Sequence, residues 1–374
     1  MLVFLQSNPA NAGAQVIFNL PLTDAGAGIV NTTPTASAGS PTPTFTRATV
    51  AWTKLSTGLW AQVASGQPRS CYIGANTAVG TYGGYLGEAA GTQLVTPDAS
   101  IRDMTDASWV AVNVTPAKTA TGIDGVVNSA STLTSGAIGG AIQQTLVAAA
   151  SSRTYSCWIR RVSGTGTITI NQGATTSDIT AQINSTTYTR VTLTASVLNA
   201  AFGITFGASG DVIEVDFNQF EAGAIATSPM ATAGAARNAD ALSYVGTGNL
   251  LPTQGTCYTE CQQNNPTQAF TLIDTGGSEC QSFGPGLKIN DGTNQAATGT
   301  PTAAVVNKLG TTWGGLGIRA CLNGAAPVNA SFDGAIGVTP IAIITAGQTK
   351  SCTIKNMLIY NQQLSNAALQ ALTT

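Results

Sequence analysis

Four segments in the middle of the chain alternate apolar and polar residues with a period of two. In RTYSCWIRRV, Tyr155, Cys157 and Ile159 share one side, and Trp158 and Arg160 share the other. In GTITINQG, Ile168 and Ile170 alternate with Thr167, Thr169 and Asn171. YTRVTLTA sets Val191 and Leu193 against Thr192 and Thr194, and DVIEVDFNQF sets Ile213, Val215 and Phe217 against Glu214, Asp216 and Asn218. Such alternation marks strands with one face on a core and one toward solvent. Strands of this kind, separated by Gly, Ser and Asn turns, predict an antiparallel sandwich. Further strands are expected at QVIFNLPL (15–22), FTRATVAW, AFTLIDT (269–275) and SCTIKNMLIYN (351–361). Asn323-Gly324 is a strong hairpin-turn signal. LSNAALQALTT predicts one short helix, with Ser365 as N-cap and Leu369 and Leu372 on one face. SGAIGGAIQQTLVAAA (135–150) stays ambiguous, since its Ala and Gln favour a helix that its glycines weaken. No fixed-period repeat points to a solenoid.

These elements predict an all-β chain: an N-terminal arm followed by two antiparallel β-sandwich domains of jelly-roll type. Residues 1–44 form the arm and linker, because NTTPTASAGSPTPT (31–44) has the composition of extended, polyproline-like backbone. An ordinary loop fits the same composition. Residues 45–90 are a short β-rich connecting segment, 91–236 the first sandwich and 237–374 the second.

Composition narrows the chemistry. Apolar residues are 43% of the chain, enough for real cores, but charged residues are only 9%, against about 25% in an average soluble domain. Exposed faces are therefore expected to be rich in Thr, Ser, Asn, Gln and Gly. The net charge of −2 offers no basic field for nucleic acid. Histidine is absent, which removes Ser–His–Asp and Cys–His relays and His-containing zinc sites. Seven cysteines at irregular spacing (Cys71, Cys157, Cys257, Cys261, Cys280, Cys321 and Cys352) read as buried small hydrophobes. A pairing such as Cys257–Cys280 stays open. The start MLVFLQSNPANAG lacks a basic n-region, so no export signal is expected. No apolar stretch reaches the length of a membrane span, so no membrane insertion is expected. An exterior-type surface without an export signal suits a virion component released by lysis.

Candidate chemistry is sparse. Glycan cleavage needs two carboxylates flanking a cleft, and Glu214/Asp216 and Asp103/Asp106 are the pairs at hand; solvated strand faces are their plainer reading. Trp158, expected to face outward beside Arg160, is the best candidate for stacking on a sugar. The alternative is that another subunit or a loop covers this face. Trp52, Trp60, Trp109 and Trp313 read as core or interface residues. No calcium-loop motif and no cofactor motif occurs.

Four segments, in order, resemble a widespread class of bacteriophage fibre and minor virion proteins. PTPTFTRATVAW is similar to the family's FTRAST-aromatic segment, with Arg47 at its arginine. YLGEAAGTQLVTPDASIRDMTDASWV resembles its L-x-E-x-A-R-T-N-L stretch, placing Glu88, Leu94 and Trp109, although Gly91 stands where Arg is usual. NQFEAGAIATSPMATAGAARNADAL resembles its Q-x-E-x-G … R-A-A-D stretch through Gln219, Glu221, Gly223, Ser228, Arg237 and Asp240, with Met230-Ala231 in place of Ile-Pro. IKNMLIYNQQLSNAALQALT resembles the closing stretch of concanavalin-like lectin domains. The resemblance implies a carbohydrate-binding-module-like jelly roll at 91–236 and a concanavalin-like sandwich at 237–374. It implies a virion location on tail, collar or head, a homotrimer, and attachment to phage adaptor, collar or tail proteins through the N-terminal segment. It further implies contact with a host cell-surface glycan; head decoration or a glycan-degrading tailspike are the alternatives. Arg47, Glu88, Trp109, Glu221, Arg237 and Asp240 are then structural motif residues, with ion pairing or turn capping the expected use of Glu221, Arg237 and Asp240.

Overall fold

The computed structural model describes residues 16–21, 43–73, 81–234, 236–247, 250–263, 270–283, 286–303, 305–338, 340–343 and 351–374. Every sheet in it is antiparallel, and the strands pack as two sandwiches. In the first, one five-stranded sheet runs in the order Thr189–Ser196, Ser152–Ser163, Val212–Ala222, Ala130–Ser135, Val114–Ala120. Its partner sheet runs Thr175–Asp178, Ile168–Gln172, Ala201–Phe206, Ala141–Thr145, Val110–Val112. Of the residues that alternation placed inward, Tyr155, Cys157, Ile159, Ile168, Ile170, Val191, Ile213, Val215 and Phe217 are fully buried in one core with Phe202, Phe206 and Phe220, and Leu193 packs against it partly buried. The segment at 135–150, ambiguous in sequence, supplies the strand Ala141–Thr145, because strands on both sides satisfy its backbone.

The second sandwich draws strands from three parts of the chain. One sheet runs Val328–Ala330, Ile318–Leu322, Val306–Trp313, Gly255–Gln263, Ser351–Tyr360, Thr81–Glu88, Ser70–Ile73, and Val16–Pro21 pairs along Asn356–Tyr360. The other runs Pro43–Thr46, Ala241–Tyr244, Ile341–Ile343, Phe270–Asp274, Glu279–Phe283, Leu287–Asn290, Gln295–Ala297. The 45–90 segment is thus shared out. Its strands at 70–73 and 81–88 belong to the C-terminal sandwich, and its hairpin Ala51–Lys54/Trp60–Val63 lies against the first one. Val16–Pro21, within the stretch read as an arm, is hydrogen-bonded into a sheet. The Pro/Thr/Ser-rich run at 31–42 lies outside the described residues.

Local signals account for the connections. Asn323 and Gly324 both take positive φ, 48° and 73°, as a tight hairpin turn requires. The helix Asn366–Thr373 is capped by Ser365, whose Oγ accepts from the Ala368 N–H at 3.3 Å. Leu369 is fully buried, and the helix can close onto the sheet there because residue 310 is glycine: a Cβ would stand 2.8 Å from Leu369 Cδ1.

Candidate functional site

Five of the residues that carry the resemblance, Arg47, Glu88, Ser228, Arg237 and Asp240, meet at the junction of the two sandwiches. Arg47 Nη1 donates to Asp240 Oδ1 at 2.7 Å across 193 positions of sequence. Arg69 Nη2 pairs with Asp240 Oδ2, while its Nη1 lies 2.8 Å from each of Glu88 Oε2, Ser228 Oγ and the Trp52 carbonyl. Arg237 approaches Glu88 at 3.6 Å and Asp240 at 3.7 Å. Ser228 gives both its N–H and its hydroxyl to Glu88, at 2.9 and 2.6 Å, and the Glu88 N–H donates to Asp240 at 3.0 Å. All five ions are buried. Ser351 sits opposite Glu88 in the sheet register, and the strand it opens, Ser351–Tyr360, carries the start of the fourth resembling segment from Ile354, opposite Tyr85.

Charges taken out of water this completely survive only when paired and hydrogen-bonded. Burial alone would raise the Glu88 carboxyl, yet Arg69, Arg237 and Ser228 hold it down at about 2. Burial likewise opposes the Arg69 charge, and Asp240 with Glu88 overcomes it and raises its pKa. Arg69 was not among the residues singled out from sequence. Its only signal was a cation directly before a strand, at PRSCYI.

Glu221 forms a second, adjoining node. It accepts from the Thr227 N–H, the Thr227 hydroxyl and Gln219 Nε2 at 2.9, 2.7 and 2.6 Å. Arg190 Nη2 stands 3.8 Å away. A Cβ at Gly91 would lie 3.0 Å from Glu221 Oε1 and Thr227 Oγ1, so this backbone approach suits glycine, where the resembling family has Arg. The guanidinium facing Glu221 comes instead from Arg190, on another strand. Burial raises the Glu221 carboxyl against that cation.

Trp158 does not face solvent. It is fully buried, which corrects the reading of it as an exposed sugar platform. The Ala51–Lys54/Trp60–Val63 hairpin covers this face: Trp60 meets Trp158 edge-on at 5.7 Å, and Arg190 lies 4.2 Å over the Trp158 ring. A bulge completes the cover. Ser156 and Trp158 pair with Gln219 and Asp216, leaving Phe217 and Asn218 opposite a single residue. Phe217 takes φ 45° and packs against both Trp52 and Trp158. Period two shows that a strand has two faces, not that the polar one is wet. Arg160 is partly exposed, pairs with Glu214 and lies 5.3 Å over Tyr188. Trp109 sits in the first core, donating from Nε1 to the Ser100 carbonyl at 2.9 Å and meeting Phe202 edge-on.

The carboxylate pairs are engaged separately. Glu214 is held by Arg160 and the Tyr188 hydroxyl. Asp216 receives Arg102 Nε and Nη2 at 2.8 and 2.9 Å and the Ile123 N–H at 2.8 Å. Asp103 accepts from Thr105 and lies 3.4 Å from Lys118, and Asp106 caps the Ser108 N–H. Among the described residues, no group of three or more His, Cys, Asp or Glu side chains converges as metal ligands, and no helix is long and apolar enough to cross a membrane. All seven cysteines are buried free thiols, so the Cys257–Cys280 bond left open by sequence is not formed.

No protein-family model matches the chain, and no curated protein matches it. Among solved structures, the N-terminal CBM22-1-CBM22-2 tandem domain of Xyn10C from Paenibacillus barcinonensis is similar over 73% of this chain and 98% of that chain, at 9% identity and a TM-score of 0.28. Similarity at this level bears on neither ligand nor function.

Proposed function

We propose that this chain is a structural subunit of a bacteriophage particle: a fibre subunit held to tail or collar through its N-terminal region and exposed for contact with the host surface. One observation carries the reading. Arg47, Glu88, Arg237 and Asp240 come from three of the segments that resemble phage fibre proteins, and they close one buried ion network against the strand of the fourth. The ordered resemblance therefore corresponds to a single physical device, which ties two β-sandwiches together. A lock of this kind suits a protein whose work is to hold shape on a particle. The reading assigns no reaction to the chain and takes it as a homotrimer. Mass spectrometry of purified particles, with the native mass of the isolated chain, tests it. The chain present in particles and a trimer mass support the reading; a chain found only in the lysate, as a monomer, contradicts it.

Contact with a host glycan passes, in this reading, from Trp158 to an open groove of about 660 Å³ on the C-terminal sandwich. Gly314–Gly317, Asn329, Ser331 and Phe332 line it, combining side-chain amide and hydroxyl groups and one ring. A glycan array tests this part alone. Binding lost in Asn329→Ala and Phe332→Ala supports it, and no binding by the wild-type chain contradicts it.

A further inference from the structure

The open groove on the C-terminal sandwich has two lips, and the fold fixes both. Residues 314–317, between the strands Val306–Trp313 and Ile318–Leu322, form the first. Gln363 clamps this lip from the segment before the C-terminal helix. Its Oε1 accepts from the Leu316 N–H at 2.9 Å, and its Nε2 donates to the Gly317 carbonyl. Arg319 Nη2 donates to the Leu316 carbonyl at 3.1 Å. A Cβ at Gly317 would fall 2.3 Å from the Ala330 carbonyl oxygen, so glycine lets the lip close down on its neighbour. Leu316 itself is left 69% exposed. The second lip, 331–334, is tied down by the Asp333 N–H, which donates to Asp291 Oδ2 at 3.0 Å, and by Phe332, which packs partly buried on the core. A site held this way is formed before its ligand arrives.

The groove presents polar groups without charge. Asn329 and Ser331 are exposed, and their side chains hydrogen-bond to no described residue, so an amide and a hydroxyl stay open to a ligand. None of the described residues that line it is ionisable. The neighbouring charges are engaged elsewhere: Arg319 donates to the Leu364 and Leu316 carbonyls, and Asp333 accepts from the Thr293 hydroxyl and the Ala335 N–H. A charged group entering here gives up hydration and gains no counter-charge. A neutral sugar ring carries no such cost. Its hydroxyls suit the amide and hydroxyl, and its C–H face suits Leu316 and Phe332.

We propose that this groove takes neutral sugars and discriminates against acidic ones, with Gln363 as the positioning residue that holds Leu316 in place. The inference rests on the glycan-contact reading above and adds to it the class of ligand.

An array of neutral hexose, deoxyhexose and N-acetylhexosamine oligosaccharides, printed beside sialylated, uronic-acid and sulfated ones, tests it with the whole chain. The expected result is binding to the neutral members alone, unchanged between about 0.05 and about 0.5 M sodium chloride, since no charge pair is there to be screened. Gly315→Trp fills the groove without strain, because a Cβ at Gly315 meets nothing within 4 Å, and should abolish binding at an unchanged melting temperature. Gln363→Met removes both clamps and should weaken binding about tenfold, with no further loss when Leu316→Ala is added, because Gln363 acts through Leu316. If Gln363→Met does not fold, Gly315→Trp and the salt series decide. Acidic glycans bound as well as neutral ones, and lost in Gly315→Trp, overturn the proposal and leave the glycan-contact reading standing. Binding that survives Gly315→Trp overturns it by placing the sugar elsewhere on the chain. Independent losses from Gln363→Met and Leu316→Ala overturn the role of Gln363. No binding by the wild-type chain overturns the proposal and the glycan-contact reading together.

Discussion

Replacing Asp240 with Asn keeps the side-chain shape and removes its charge. Asp240 is fully buried and takes hydrogen bonds from Arg47, Arg69 and the Glu88 N–H. In Asp240→Asn, Arg69 and Arg237 are left with Glu88 alone, Arg47 loses its carboxylate, and the new amide presents an N–H₂ to one of the guanidiniums. Breaking a buried pair by removing one partner costs about 3–5 kcal/mol, because the remaining charge stays buried. Arg47 loses its carboxylate and Arg69 loses one of two, so the upper end of that range is expected. Urea unfolding followed by tryptophan fluorescence measures it. Arg47→Met in the Asp240→Asn background removes one stranded cation and should restore at least about 1 kcal/mol. Glu214→Gln breaks a pair whose arginine is about one-third exposed and should cost no more than about 1 kcal/mol. A loss below about 1 kcal/mol in Asp240→Asn, or strict additivity with Arg47→Met, would refute the reasoning.

Other expectations follow from the same geometry. The Glu88 carboxyl sits near 2 in the fold against an ordinary 4.5, so its contribution is complete above about 4.5 and is lost as pH falls toward 2. Urea midpoints should therefore drop across that window in the wild type and less steeply in Glu88→Gln; parallel curves would contradict it. Trp158→Ala should cost about 3–5 kcal/mol through an empty core site, read by thermal and urea unfolding, rather than leave a stable protein that merely fails to bind sugar. Gly84→Ala should fail to give folded protein, as judged by circular dichroism, because φ is 108° and its Cβ would fall 1.9 Å from the Ile354 carbonyl oxygen. Thiol reagents should titrate no cysteine in the native chain at pH 8 and all seven in denaturant, since each is buried and burial pushes Cys157 and Cys280 up to about 12.

Period-two alternation made the strands legible: Ser152–Ser163, Ile168–Gln172, Thr189–Ser196 and Val212–Ala222 lie where it placed them. The Asn323-Gly324 turn and the Ser365 cap were legible for the same reason, since their chemistry is local. Sheet membership was not. Nothing local in FTRATVAW says that Pro43–Thr46 pairs with Ala241–Tyr244 while Ala51–Lys54 turns to the other sandwich. The Trp158 face stayed open between a sugar platform and a covered surface for that reason, because its cover comes from about one hundred positions earlier in the chain. The ion network was half visible. Arg47, Glu88, Arg237 and Asp240 stood out through resemblance, whereas Arg69 and Arg190 lie outside the quoted motifs and find their carboxylates only in the fold.

The claim that the chain is an exterior part of a phage particle is tested most directly by electron microscopy of purified particles carrying an epitope tag at the C-terminus, decorated with gold-labelled antibody. The account predicts gold at a fixed site on the outside of tail or collar, in groups consistent with trimers. Particles that assemble normally and carry no label, while the tagged chain is abundant in the same lysate, would contradict it.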